Sequence, residues 1–214
     1  MNHLKRLKNE FWTIPVQLIF RPFKGFESIK DKETGHVAVS GIFIFMMGIL
    51  SIIEYQYTGF IMNTFDPREM NAIVILVTSI FPLLLIILAN WSMTTLVDGK
   101  GKMIEIFKML GYALFPLIIA RIVGVILSNM VVDTEIIFVQ VIIGFGMIWT
   151  IFTVLIGFIV IHQFSLSKTI LTVVLTIISM MVIIFILLLF FSLLQQMTGF
   201  IWSFIEELLY RINR

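Results

Sequence analysis

Five apolar runs decide what this chain can fold into. They cover about residues 37–55, 71–96, 110–130, 136–161 and 170–194, with short polar stretches between them. Each is on the order of 20 residues, so at about 1.5 Å per residue each crosses a hydrocarbon layer of about 30 Å as an α-helix. Only 13% of the 214 residues are charged and 59% are hydrophobic, whereas soluble domains are nearer a quarter charged. Too few polar side chains remain to cover a water-exposed globule. The expectation is an all-α, polytopic membrane protein with five transmembrane helices and an interfacial amphipathic helix at each end. The bundle should occupy 36–198, flanked by 1–35 and 199–214.

The flanks differ in charge. Lys5, Arg6, Lys8, Arg21, Lys24, Lys30 and Lys32 crowd the first 35 residues, beside Phe11, Phe23 and Phe26. Basic and aromatic residues together describe helices sunk into anionic lipid headgroups, and no nucleic-acid partner is expected. Leu4, Leu7, Phe11 and Ile14 make one helical stripe that Pro15 should end. Pro22 suits the first turn of a second helix, with Phe23, Phe26 and Ile29 opposite Lys24 and Glu27. An arm packed onto the rest of the protein is the alternative. The segment lacks a small-residue cleavage site, so it is expected to be retained rather than removed as a signal peptide. At the other end, Ile201, Phe204, Ile205, Leu208 and Ile212 form an apolar stripe on a segment too polar to span, expected at the interface.

Orientation follows from the basic residues outside the runs. With five spans, Lys100, Lys102, Lys108 and Lys168 share the N-terminal side, making eleven Lys or Arg there against Arg68, Arg211 and Arg214 opposite. The expected placement is the cell membrane, with the N-terminus cytoplasmic and the C-terminus outside.

Within the spans, polar residues are few enough to take singly. Arg121 lies between Lys108 and Asp133, near the middle of the third run. An arginine there costs about 2.5–3.5 kcal/mol on insertion scales, so it should face inward and be paired. Counting residues along the helices brings Glu54 of the first run within reach, with Gln140 and Asn129 as fallbacks. Asn90, Thr94 and Asp98 recur every four residues at the end of the second run. That stripe either lines a cytoplasmic cleft or makes helix-to-helix hydrogen bonds. Asp98-Gly99 should cap that helix. Gly111, Tyr112 and Pro116 open the third run, where the proline ring collides with the carbonyl of Tyr112 and should kink the helix. The kink serves as a hinge or binding crease, or it is bent packing alone. Pro82 should bend the second run likewise. Gly146, Thr150, Thr153 and Gly157 form a small-residue face that reads as a packing seam.

No enzyme signature stands out. His3, His36 and His162 are far apart and lack an HExxH-type neighbour, Gly99-Lys100-Gly101 lacks P-loop spacing, and there is no cysteine. No catalytic residue, cofactor or metal is expected.

The stretch Gly111-Tyr112-Ala113-Leu114-Phe115-Pro116, with Asp98-Gly99 ahead of it and Ile19-Phe20-Arg21-Pro22-Phe23-Lys24-Gly25-Phe26 before the first run, resembles the Yip domain of five-span membrane proteins. The resemblance implies a five-span membrane protein, and the missing catalytic motifs imply that it is not an enzyme. In eukaryotic members the resemblance implies recruitment of prenylated Rab-type GTPases and a part in vesicle traffic. The Asp-Leu-Tyr-Gly-Pro motif of those members is absent here, which points to the bacterial-type group. The function expected is a membrane scaffold binding a membrane-protein partner. The alternative is a small transporter or lipid-handling protein with a cleft lined by Asn90, Thr94, Asp98 and Arg121.

Overall fold

A computed structural model describes residues 3–31 and 34–212, and among these all regular structure is helical. An arm of two helices, α1 (His3–Phe20) and α2 (Pro22–Asp31), precedes the first span, α3 (Val37–Tyr57). The second span is α4 (Ala72–Leu96). The third is split into α5 (Met103–Ala113) and α6 (Phe115–Ser128). The fourth is α7 (Ile136–His162), and the fifth lies within α8 (Leu166–Ile212). Five helical segments are thus long and apolar enough to cross a membrane.

The ends of the spans follow ordinary capping chemistry. Asn71 accepts from the Val74 amide at 3.1 Å and starts α4. At its other end the Gly99 amide reaches back to the Thr94 carbonyl at 2.7 Å. The left-handed residue there is Asp98, with φ 55°, and not the glycine that follows it. Aspartate is among the few residues that take this conformation at modest cost. Between α3 and α4, Tyr55 stacks on Phe65 at 4.7 Å and donates to the Asp66 carbonyl, folding the connecting loop back onto the helix end.

The arm departs from expectation. Pro15 does not end the first helix: α1 runs through it to Phe20. Pro15 is itself buried, and its neighbours Ile14 and Leu18 are 5% and 1% exposed. Their burial supports the backbone across the missing hydrogen bond. Ile14, Leu18, Phe26 and Ile29 belong to the main core, together with Phe43, Met109, Tyr112, Phe115 and Ile161. The arm is therefore packed on the bundle, while Trp12, Phe20 and Phe23 remain exposed for lipid. Phe23 thus leaves the face expected to join it to Phe26 and Ile29.

Two expected breaks divide differently. The third span is interrupted at Leu114, where Pro116 opens α6 and the Leu114 amide is shared between the carbonyls of Leu110 and Gly111. α4 runs unbroken through Pro82. At the far end there is no boundary at Gly199, because α8 continues without a break for 47 residues. Its packing partner is chiefly α4. Its only buried residues are Thr169, Thr172 and Thr176.

Candidate functional site

The polar residues singled out in the sequence gather at three separate places. The first joins α3 to α6. Ser51 and Glu54 lie one turn apart on α3 and face Arg121 of α6. Arg121 Nε donates to Glu54 Oε1 at 2.6 Å, and Nη2 donates to Glu54 Oε2 and, at 3.1 Å, to Ser51 Oγ. Nη1 points to Met47 Sδ at 3.9 Å. This is the pairing that residue counting placed within reach, and its two-pronged geometry is the strong form of such contacts. The side chains are 17% and 25% exposed. Arg121 sits two turns from the end of α6 at Ser128, nearer that end than the midpoint expected, because the helix stops before Asp133. A cavity of about 240 Å³ adjoins the pair, with Thr58, Asn63 and Ser128 in its wall. Opposite charges cancel there, so the pair works as a clamp between two spans. The same end is closed by Ser128, which accepts from the Gly59 amide at 2.8 Å, and by Asn129, which donates to the Tyr57 carbonyl.

The second place lies at the opposite end, among α4, α7 and α8. Asn90 and Thr94 are each 1% exposed. Asn90 Nδ2 donates to Thr176 Oγ1 at 3.1 Å, and Thr176 in turn donates to the Thr172 carbonyl. That leaves Asn90 Oδ1 to accept from His162 Nε2 at 3.0 Å. His162 is 1% exposed, and its Nδ1 has no hydrogen-bond partner among the described residues. Gly99 and Gly101 roof the imidazole so closely that a Cβ on either would lie within 3 Å of it. The stripe on α4 is thus helix-to-helix hydrogen bonding at Asn90, and Asp98 stands outside it, exposed to solvent. Asn90, Thr94, Asp98 and Arg121 do not share a cleft.

The third place is where α3 crosses α5. A Cβ on Gly111 would fall 2.6 Å from Ser40 Cβ and 2.7 Å from the Ser40 Cα and carbonyl oxygen. Glycine is needed here for backbone contact and not for flexibility at the break. Ser40 Oγ donates to the Lys108 carbonyl across the same contact. Tyr112 is fully buried, and its hydroxyl accepts from the His36 amide at 3.2 Å. It thereby satisfies one of the orphan donors at the start of α3. Gly146 lets α7 approach Ala120 of α6 in the same manner.

Sequence reasoning missed His162 and Ser51. The readable signal for His162 was an amide at Asn90, deep in an apolar run, that needed a polar partner on another helix. Among the described residues no three His, Asp or Glu side chains are placed to hold a metal ion.

These five spans, the broken third span and the packed arm coincide with a match to the Yip1 domain, which covers residues 16–190. The chain belongs to the Yip1 domain family. No curated protein and no solved structure matches it. The Yip1 match begins inside α1 and ends inside α8, so Tyr112, Pro116, the Arg121–Glu54 clamp and the Asn90–His162 contact all lie within it. The last 22 residues of α8 lie beyond it.

Proposed function

We propose that this Yip1-family protein is a non-enzymatic membrane scaffold that binds a second membrane protein along α8. One observation carries this reading: the length and exposure of α8. Forty-seven residues make a rod of about 70 Å, more than twice a hydrocarbon core of about 30 Å. Thr169, Thr172 and Thr176 face the bundle and Asn90 of α4. Counting from the Asn90–Thr176 contact, the start of α4 at Ala72 lies opposite about Leu194, and no α4 residue flanks α8 past it. Beyond that point Met197, Ile201, Phe204 and Leu208 continue the spacing of Ile183, Leu187, Phe190 and Leu194, alternating steps of four and three. Such a seam is what one helix offers another. Met197, Ile201, Phe204 and Leu208 are all exposed.

In this reading the Arg121–Glu54 and Asn90–His162 contacts hold the scaffold rigid. The protein resides in the cell membrane with its arm cytoplasmic and the end of α8 outside. The transporter reading loses support because Asn90 is bonded to α7 and α8 and Thr94 is buried, while Arg121 is spent on Glu54.

Photocrosslinking in the native membrane tests the proposal. A photoreactive residue at Met197 or Phe204 is expected to give discrete protein adducts, whereas Gln195 and Glu206, on the opposite face, give few. Equal yields around the helix, or lipid adducts alone at every position, contradict it.

A further inference from the structure

α1, α6 and α7 enclose a second cavity, of about 700 Å³. Ile19 and Phe20 of α1, Ile119 and Val123 of α6, and Val141 and Phe145 of α7 make it apolar. Phe20, Val141 and Phe145 are 79%, 60% and 63% exposed, so the cavity opens to whatever surrounds the bundle. A void of this kind has too few polar partners to hold water, and in a membrane it fills with hydrocarbon.

Basic residues follow directly on the α1 wall of the crevice. Arg21 follows Phe20 directly, and Lys24 stands one turn farther on. Both are exposed, and neither forms an ion pair among the described residues. Glu27 on the next turn leaves this corner net positive. From the corner α2 leads towards the C-terminal end of α7, where Lys30 donates to the Val160 and Ile161 carbonyls. Hydrocarbon walls with cations at one end match a single kind of molecule. We infer that the crevice holds one acyl chain of an anionic phospholipid from the bilayer, with its phosphate met by Arg21 and Lys24. The inference is independent of the partner proposed for α8.

Trp149 lines the crevice and reports on it. The full-length chain carrying Trp12→Phe, Trp91→Phe and Trp202→Phe leaves it as the sole tryptophan. This protein is placed in phosphatidylcholine vesicles in which a tenth of the lipid is brominated on its acyl chains, either phosphatidylglycerol or phosphatidylcholine. Each basic group near a headgroup is worth about 1 kcal/mol, about fivefold in local lipid concentration. Brominated phosphatidylglycerol should therefore quench Trp149 several-fold more than brominated phosphatidylcholine. Arg21→Gln/Lys24→Gln should abolish the excess without changing quenching by phosphatidylcholine. Val123→Phe, which fills the crevice, should reduce quenching by both, with circular dichroism confirming an intact fold. Equal quenching by the two lipids, or an excess that survives Arg21→Gln/Lys24→Gln, overturns the inference.

Discussion

Arg121→Leu is expected to lower the unfolding free energy of the bundle in detergent by about 3 kcal/mol, and Glu54→Gln/Arg121→Leu to recover part of the loss. Removing one member of a buried ion pair costs about 3–5 kcal/mol, because the other charge is left desolvated and unpaired. A carboxylate side chain still 25% exposed places this case at the lower end. Replacing Glu54 by its neutral isostere removes the stranded charge while keeping a group that Ser51 can engage. Reversible unfolding of the single and double variants, read as a double-mutant cycle, measures the coupling. A double variant whose loss equals the sum of the two single losses shows that the two side chains contribute independently.

Gly111→Val should cost nearly as much, by a different route. Its Cβ would enter the space held by Ser40, whose nearest atoms include backbone at 2.7 Å. Overpacking of this kind costs about 1–3 kcal/mol, and more where backbone must move. α3 and α5 must separate, and the strain reaches the Tyr112–His36 contact one residue on. Gly144→Val is the matched control, because nothing lies within 4 Å of a Cβ there. Thermal unfolding should separate the two variants by several degrees. Equal melting temperatures mean that α3 and α5 are not in backbone contact.

How far the sequence carried depended on whether the deciding interaction was local. Span positions followed from hydropathy, since lipid imposes one requirement on every residue of a run. The Arg121–Glu54 contact was within reach of counting, because helical rise converts residue number into height. Prolines were not legible in the same way. Pro15, Pro82 and Pro116 all lack the same donor, yet only Pro116 coincides with a helix break. Pro15 is carried by the burial of Ile14 and Leu18, a tertiary fact. The Asn90–His162 contact is tertiary as well: 72 residues separate its partners, and nothing near His162 in sequence marks it. The need for glycine at position 111 was hidden, because sequence shows the nearby proline and not the facing Ser40. The tail after Gly199 read as a separate element because its polarity changes there, although the backbone does not.

Topology ties these features together, and a chain without cysteine is suited to measuring it. Single cysteines at Lys100, Asp133 and Glu206 can be treated with a membrane-impermeant maleimide on intact cells and again after permeabilisation. The account predicts that Asp133→Cys and Glu206→Cys label from outside, while Lys100→Cys labels only once the membrane is opened. Labelling of Lys100→Cys in intact cells, with Asp133→Cys and Glu206→Cys protected, would contradict it and turn the proposed partner surface on α8 to the other side.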